Sequence, residues 1–106
     1  MPSYRVRVPV GLLNPGVAPE SVLPAASNAV ARLVSVEARD LAVVAGRAVV
    51  TVRFTAADDG EALTAADAAV AEVAALASTG RAAVERRDRG RWAPLGDRRN
   101  GMLGRD

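Results

Sequence analysis

The stretch Val49-Val50-Thr51-Val52-Arg53-Phe54-Thr55 decides how this chain is read. It is β-branched and aromatic-rich, and such side chains fit a pleated, half-buried surface, so residues 47–55 are expected to form a strand. Just before it, Ala45-Gly46-Arg47 is a short connection with the glycine that a hairpin turn uses. Upstream of that turn, Val34, Val36 and Ala38 alternate with Ser35, Glu37 and Arg39, which predicts a partner strand over 34–44. Arg39-Asp40 breaks the alternation, and a bulge or twist is expected there.

Helical periodicity flanks this hairpin on both sides. Downstream, Asp58 with Glu61 three residues later has the spacing of a capping box, and the acids favour the positive end of a helix. Leu63, Ala66, Val70, Val73 and Ala77 form its apolar stripe, and Ser78-Thr79-Gly80 is expected to end it. Upstream, Leu23, Ala26, Val30 and Leu33 predict a helix over about 21–33, with Ser21 as its cap and Pro24 in the first turn. One element further out on each side lies another strand: Tyr4-Arg5-Val6-Arg7-Val8-Pro9-Val10, a strict period of two, and residues 81–87. Gly11 to Pro19, holding Asn14-Pro15-Gly16, reads as a loop. Asp88-Arg89-Gly90 is expected to be a three-residue turn into a short strand over 91–95 stopped by Pro94, and 96–106 a mobile tail beyond a single domain of residues 1–95.

The resulting order, β-α-β-β-α-β, resembles the ferredoxin-like, split βαβ architecture over about residues 4–87. The resemblance implies an α+β sandwich: a four-stranded antiparallel sheet with two helices on one face, plus a short C-terminal hairpin strand. It is a resemblance of element order alone, on a fold that hosts unrelated functions. The Asn14-Pro15-Gly16 loop is also similar to the acid-x-Pro-Gly turn of ACT-type regulatory modules, though here the acid and an immediately following helix are missing.

Composition removes much chemistry. The chain has 106 residues, a size suited to one domain, with net charge +2, and all 14 basic residues are arginine. Without cysteine there is no disulfide, thiolate nucleophile or zinc-thiolate site; without histidine, no imidazole ligand or near-neutral general base; without lysine, no Schiff base. Asp58, Asp59 and Glu61 lack the alternating order of a calcium loop, and capping accounts for them. No P-loop or dinucleotide glycine pattern is present. The expectation is a protein that is not an enzyme and uses no cofactor or metal. Its start lacks the apolar stretch of a signal peptide and no run is long enough to span a membrane, so a cytoplasmic protein with no membrane partner is expected.

Alanine (23) and valine (16) dominate the apolar set, so the helix-facing side of the sheet, including Val36 and Ala38, is small. Small side chains bury little area each, and a domain near 100 residues is already short of core. This predicts a homo-oligomer, a dimer first, joined through the open sheet face or an edge strand. The open face is expected to carry Arg5, Arg7, Arg39, Arg53 and Arg87 against Glu37 and Glu85. That is either a cross-strand lattice that keeps the face soluble or registers a dimer, or a surface for an anionic ligand. Nucleic acid is disfavoured: RNA-recognition modules stack bases on aromatics of the central strands, and the matching positions here are Arg5, Arg7, Thr51 and Arg53. Residues 79–106 hold eight basic against four acidic residues, interspersed, which reads as a solvated hairpin and tail. Trp92 is expected across from Arg86 at the edge of the core, with Trp92 and Arg91 as candidate anchors for a protein partner. The functional expectation is a non-catalytic, self-associating interaction module. The alternatives are an ACT-like regulatory domain for a small anion and, behind it, arginine-mediated nucleic-acid binding.

Overall fold

The computed structural model describes residues 1–98. Strand β1 (Ser3–Leu13) leads through a 3₁₀ turn (Pro19–Ser21) into helix α1 (Val22–Ala31) and then the hairpin of β2 (Ser35–Val44) and β3 (Arg47–Thr55). Helix α2 (Asp59–Ala74) precedes β4 (Ala77–Thr79), β5 (Ala82–Asp88) and β6 (Arg91–Arg98). All pairings are antiparallel, in one six-stranded sheet of order β2-β3-β1-β5-β6, with β4 paired to β1 on the edge that β5 also uses.

The period of two does what it predicts on the central strands. Tyr4, Val6 and Val8 of β1, Val50, Val52 and Phe54 of β3, and Ala82 and Val84 of β5 are all fully buried on one side. They form one cluster with Val22, Ala26 and Val30 of α1 and Ala62, Ala65, Ala66, Ala69, Val70 and Val73 of α2. Tyr4 and Phe54 lie opposite each other across β1–β3, their rings stacked at 5.9 Å and 19°. At the start of α2, Asp58 Oδ1 accepts the Glu61 N–H at 2.9 Å while Glu61 Oε1 accepts the Ala57 N–H at 2.7 Å, one residue ahead of the cap.

Several expectations are corrected. The sheet has six strands, because α2 stops at Ala74 and Ala77–Thr79 turns back as β4, pairing Val10 with Thr79 and Leu13 with Ala77. That pairing carries β1 through Gly11, where a loop was expected. Gly80 accordingly ends no helix: its N–H donates to Pro9 O at 3.0 Å, and a Cβ there would stand 3.0 Å from Pro9 and 3.2 Å from the Arg47 guanidinium. Ser21 stands at the N-cap position of α1 as expected, but its hydroxyl makes no capping bond and donates instead to Ala18 O at 2.7 Å. Leu33 lies past the last turn of α1 and is exposed; the buried stripe is Val22, Ala26, Ala29 and Val30.

Both hairpin turns hold two residues with positive φ, Ala45 (52°) with Gly46 (78°) and Arg89 (53°) with Gly90 (78°), as type I′ geometry requires. The expected three-residue turn at 88–90 is therefore one residue shorter, and Asp88 pairs directly with Arg91. Strand β6 also continues through Pro94 to Arg98. Proline is tolerated because β6 is an edge strand and a bulge falls where Val84 faces Gly96 but Glu85 faces Pro94. Residues 96–98 of the expected tail thus belong to a strand; 99–106 lie outside the described residues.

Candidate functional site

The face of the sheet away from the helices gathers Arg5, Arg7, Arg53 and Arg87. Arg5 lies opposite Arg53 on one side and Glu85 on the other. Like charges directly opposite destabilise a sheet, and two glutamates flank this pair to offset it. Arg5 Nε is ion-paired with Glu85, and Arg53 Nε with Glu37 at 3.1 Å, where the Ser3 hydroxyl also donates at 3.1 Å. Arg7, one step along β1, lies opposite Thr51 and Ala83, with no carboxylate in ion-pair range among the described side chains.

Trp92 completes this cluster, which corrects its expected place. The two-residue turn sets Trp92 opposite Arg87, not Arg86, and so on the open face. The Arg5, Arg87 and Arg53 guanidiniums lie 4.4, 5.4 and 5.5 Å from its ring centroid. An aromatic therefore does stand on this face, delivered from the edge strand. Its ring is already occupied by cations, each such contact contributing about 0.5–1 kcal/mol at an exposed site. Arg91, opposite Asp88, falls on the other side of β6 from Trp92, so the two anchor candidates do not converge.

Arg39 is not part of the face. The break in β2 falls between Val36 and Ala38, ahead of the expected Arg39-Asp40, and past it Arg39 pairs with Val52 on the helix side. One inserted residue flips every later side chain. Ala38, expected in the core, is exposed on the open face, while Leu41 and Val43 join Arg39 on the helix side.

The same bulge creates a surface that the sequence reading overlooked. Leu41 (49% exposed), Val43 (77%) and Val44 (44%) are solvent-facing on the outermost strand, with Ala42 half-buried between them. A clue lay in the run Leu41-Ala42-Val43-Val44, four apolar residues without alternation. In a two-residue hairpin the closing pair, Val44 with Arg47, exchanges both hydrogen bonds. By alternation, the N–H and C=O groups of Val43, Leu41 and Arg39 point away from β3 along the free edge.

Two further groupings lie away from this face and this edge. Tyr4 donates to Asp59 Oδ1 at 2.8 Å, and Arg86 donates to Asp59 at 3.0 and 3.3 Å, a polar tie between β1, α2 and β5. Burial, and then the bond to Asp59, push the Tyr4 phenol above its usual value; the Asp59 carboxylate raises Arg86. At the hairpin end of the sheet, Leu12, Arg47, Ser78 and Gly80 border an open cleft of about 440 Å³. Among the described residues no group of His, Cys, Asp and Glu is arranged to hold a metal ion, and no helix is long and apolar enough to cross a membrane. Compared with known proteins, the chain matches no family model, no curated sequence and no solved structure.

Proposed function

We propose that this protein is a non-catalytic interaction module that associates with a second copy of itself through the edge of β2. The observation that carries this reading is the run Leu41–Val44, four consecutive apolar residues on an outermost strand whose outward edge is free, with exposed side chains on both faces of the sheet. Natural sheets blunt such edges with charge, proline or a covering element. In β2 the charges stop at Asp40 and the last four residues carry none. Another copy of the strand supplies what each face and the free backbone groups lack, which favours self-association over an unrelated partner. We read β1-α1-β2-β3-α2-β5 as a ferredoxin-like core to which β4 and β6 have been added.

Sedimentation of the wild type and of Val43→Lys, at low and high salt, tests this. The expected result is a dimer that survives high salt, since apolar burial and backbone pairing are weakly screened, and a monomer for Val43→Lys. A wild type that stays monomeric at all workable concentrations overturns it.

A second reading, an anionic ligand on the Arg5–Arg53–Arg87–Trp92 face, is favoured by the number of guanidiniums gathered at one ring. A small anion would raise the melting temperature by mass action, whereas nucleic acid would bind with an affinity that falls steeply with salt.

A further inference from the structure

We infer that the two copies pair antiparallel about an axis through Leu41, so that Leu41 faces the partner's Leu41, Arg39 faces the partner's Val43 and Asp40 faces the partner's Ala42. This rests on the proposed association through β2 and specifies its geometry. The outward-pointing backbone groups belong to Arg39, Leu41 and Val43, so only registers that set these residues against one another build a ladder. Five such two-fold registers exist. One is centred on Arg39 and one on Asp40, and each sets a like charge directly against itself, which a sheet disfavours. One centred on Val43 pairs Val43 alone, because Leu41 would meet the partner's Ala45 in the positive-φ turn, and the remaining two are centred on Leu41 or on Ala42.

The Leu41-centred register makes the longer ladder. It joins Arg39 with the partner's Val43, Leu41 with the partner's Leu41, and Val43 with the partner's Arg39. The Ala42-centred one loses the Arg39 pair, because Arg39 would meet the partner's Ala45 in the positive-φ turn. Centring on Leu41 also lays the aliphatic stem of each Arg39 along an exposed Val43 and leaves its guanidinium in water. The bulge before Ala38 ends the ladder on the other side. An axis normal to the sheet keeps faces together. The helices of both copies then lie on one side of a continuous sheet and both Trp92–arginine clusters on the other.

The chain has no cysteine, so single cysteines report the register cleanly. Opposed Leu41 residues form a hydrogen-bonded pair with Cα atoms about 5.5 Å apart, within disulfide range. Ala42 and the partner's Ala42 are then diagonal, about 7–8 Å apart. Leu41→Cys and Ala42→Cys, each folded by circular dichroism and dimeric by sedimentation, are oxidised mildly and run without reductant. Leu41→Cys is expected to cross-link at least ten-fold faster. Faster cross-linking of Ala42→Cys overturns the register and leaves the β2 dimer standing. Dimers in which neither variant cross-links place the interface elsewhere, and a monomeric wild type defeats the proposed association itself.

Discussion

At the scale of single residues, Tyr4 carries the clearest pH dependence. Its phenol is held protonated by burial and by donating to Asp59, so its folded value lies above the unfolded one near 10. A group raised in this way contributes stability that is complete below about pH 10 and is lost as pH climbs through the folded value. Thermal melts are expected to be flat up to about pH 10 and to fall beyond it. Tyrosinate absorbance should rise later in the native chain than in denatured chain, a clean measurement because Tyr4 is the only tyrosine. Tyr4→Phe should remove the alkaline loss while costing about 1 kcal/mol at neutral pH by denaturant titration. Equal titration of native and denatured chains would contradict the account. Gly90 makes a second residue-scale case: at φ 78° a Cβ has open space but the wrong backbone, so Gly90→Ala should cost about 1–2 kcal/mol.

At the scale of elements, substitutions in β2 can separate folding from the proposed association. Proline at Leu41 removes an N–H that points to the free edge, whereas proline at Ala42 removes one bonded to β3. Leu41→Pro is therefore expected to fold with little loss yet sediment as a monomer. Ala42→Pro should lose far more stability than Leu41→Pro in chemical denaturation, because it breaks a ladder hydrogen bond to β3. If both unfold alike, the hydrogen-bond phase assigned to the hairpin is wrong. The β5–β6 hairpin shows how much one turn residue decides. A two-residue turn closing at Asp88 and Arg91 sends Trp92 to the arginine face; a three-residue turn would have buried it against Arg86.

At the scale of the whole molecule, the Trp92 cluster and the β2 edge sit at different parts of the sheet and should behave independently. Trp92→Ala is expected to lower stability by about 1–2 kcal/mol through loss of the guanidinium contacts, and to leave the dimer intact. Unchanged stability in that variant would mean the ring is free for a ligand, and the anion-binding reading would gain. The core of Val, Ala, Tyr and Phe is continuous across β1, β3, β5 and both helices, with Val36 of β2 and Leu95 of β6 packed against its margins.

The hydrophobic period was enough to read both helices, the four long strands from β1 to β5 and the buried side of β1 and β3, because those residues bury by simple alternation against one core. The Asp58–Glu61 cap was likewise legible, since its partners lie three to four residues apart. The faces of β2 and β6 were not. They depend on where one residue is inserted, between Val36 and Ala38, and on whether a turn holds two residues or three. A period of two turns each such single-residue choice into a reversal of faces. Arg39 left the arginine face and Trp92 joined it for that reason. Strand β4 was hidden too: Ala77-Ser78-Thr79 has no pattern of its own, and only the backbone of β1 gives it something to pair with.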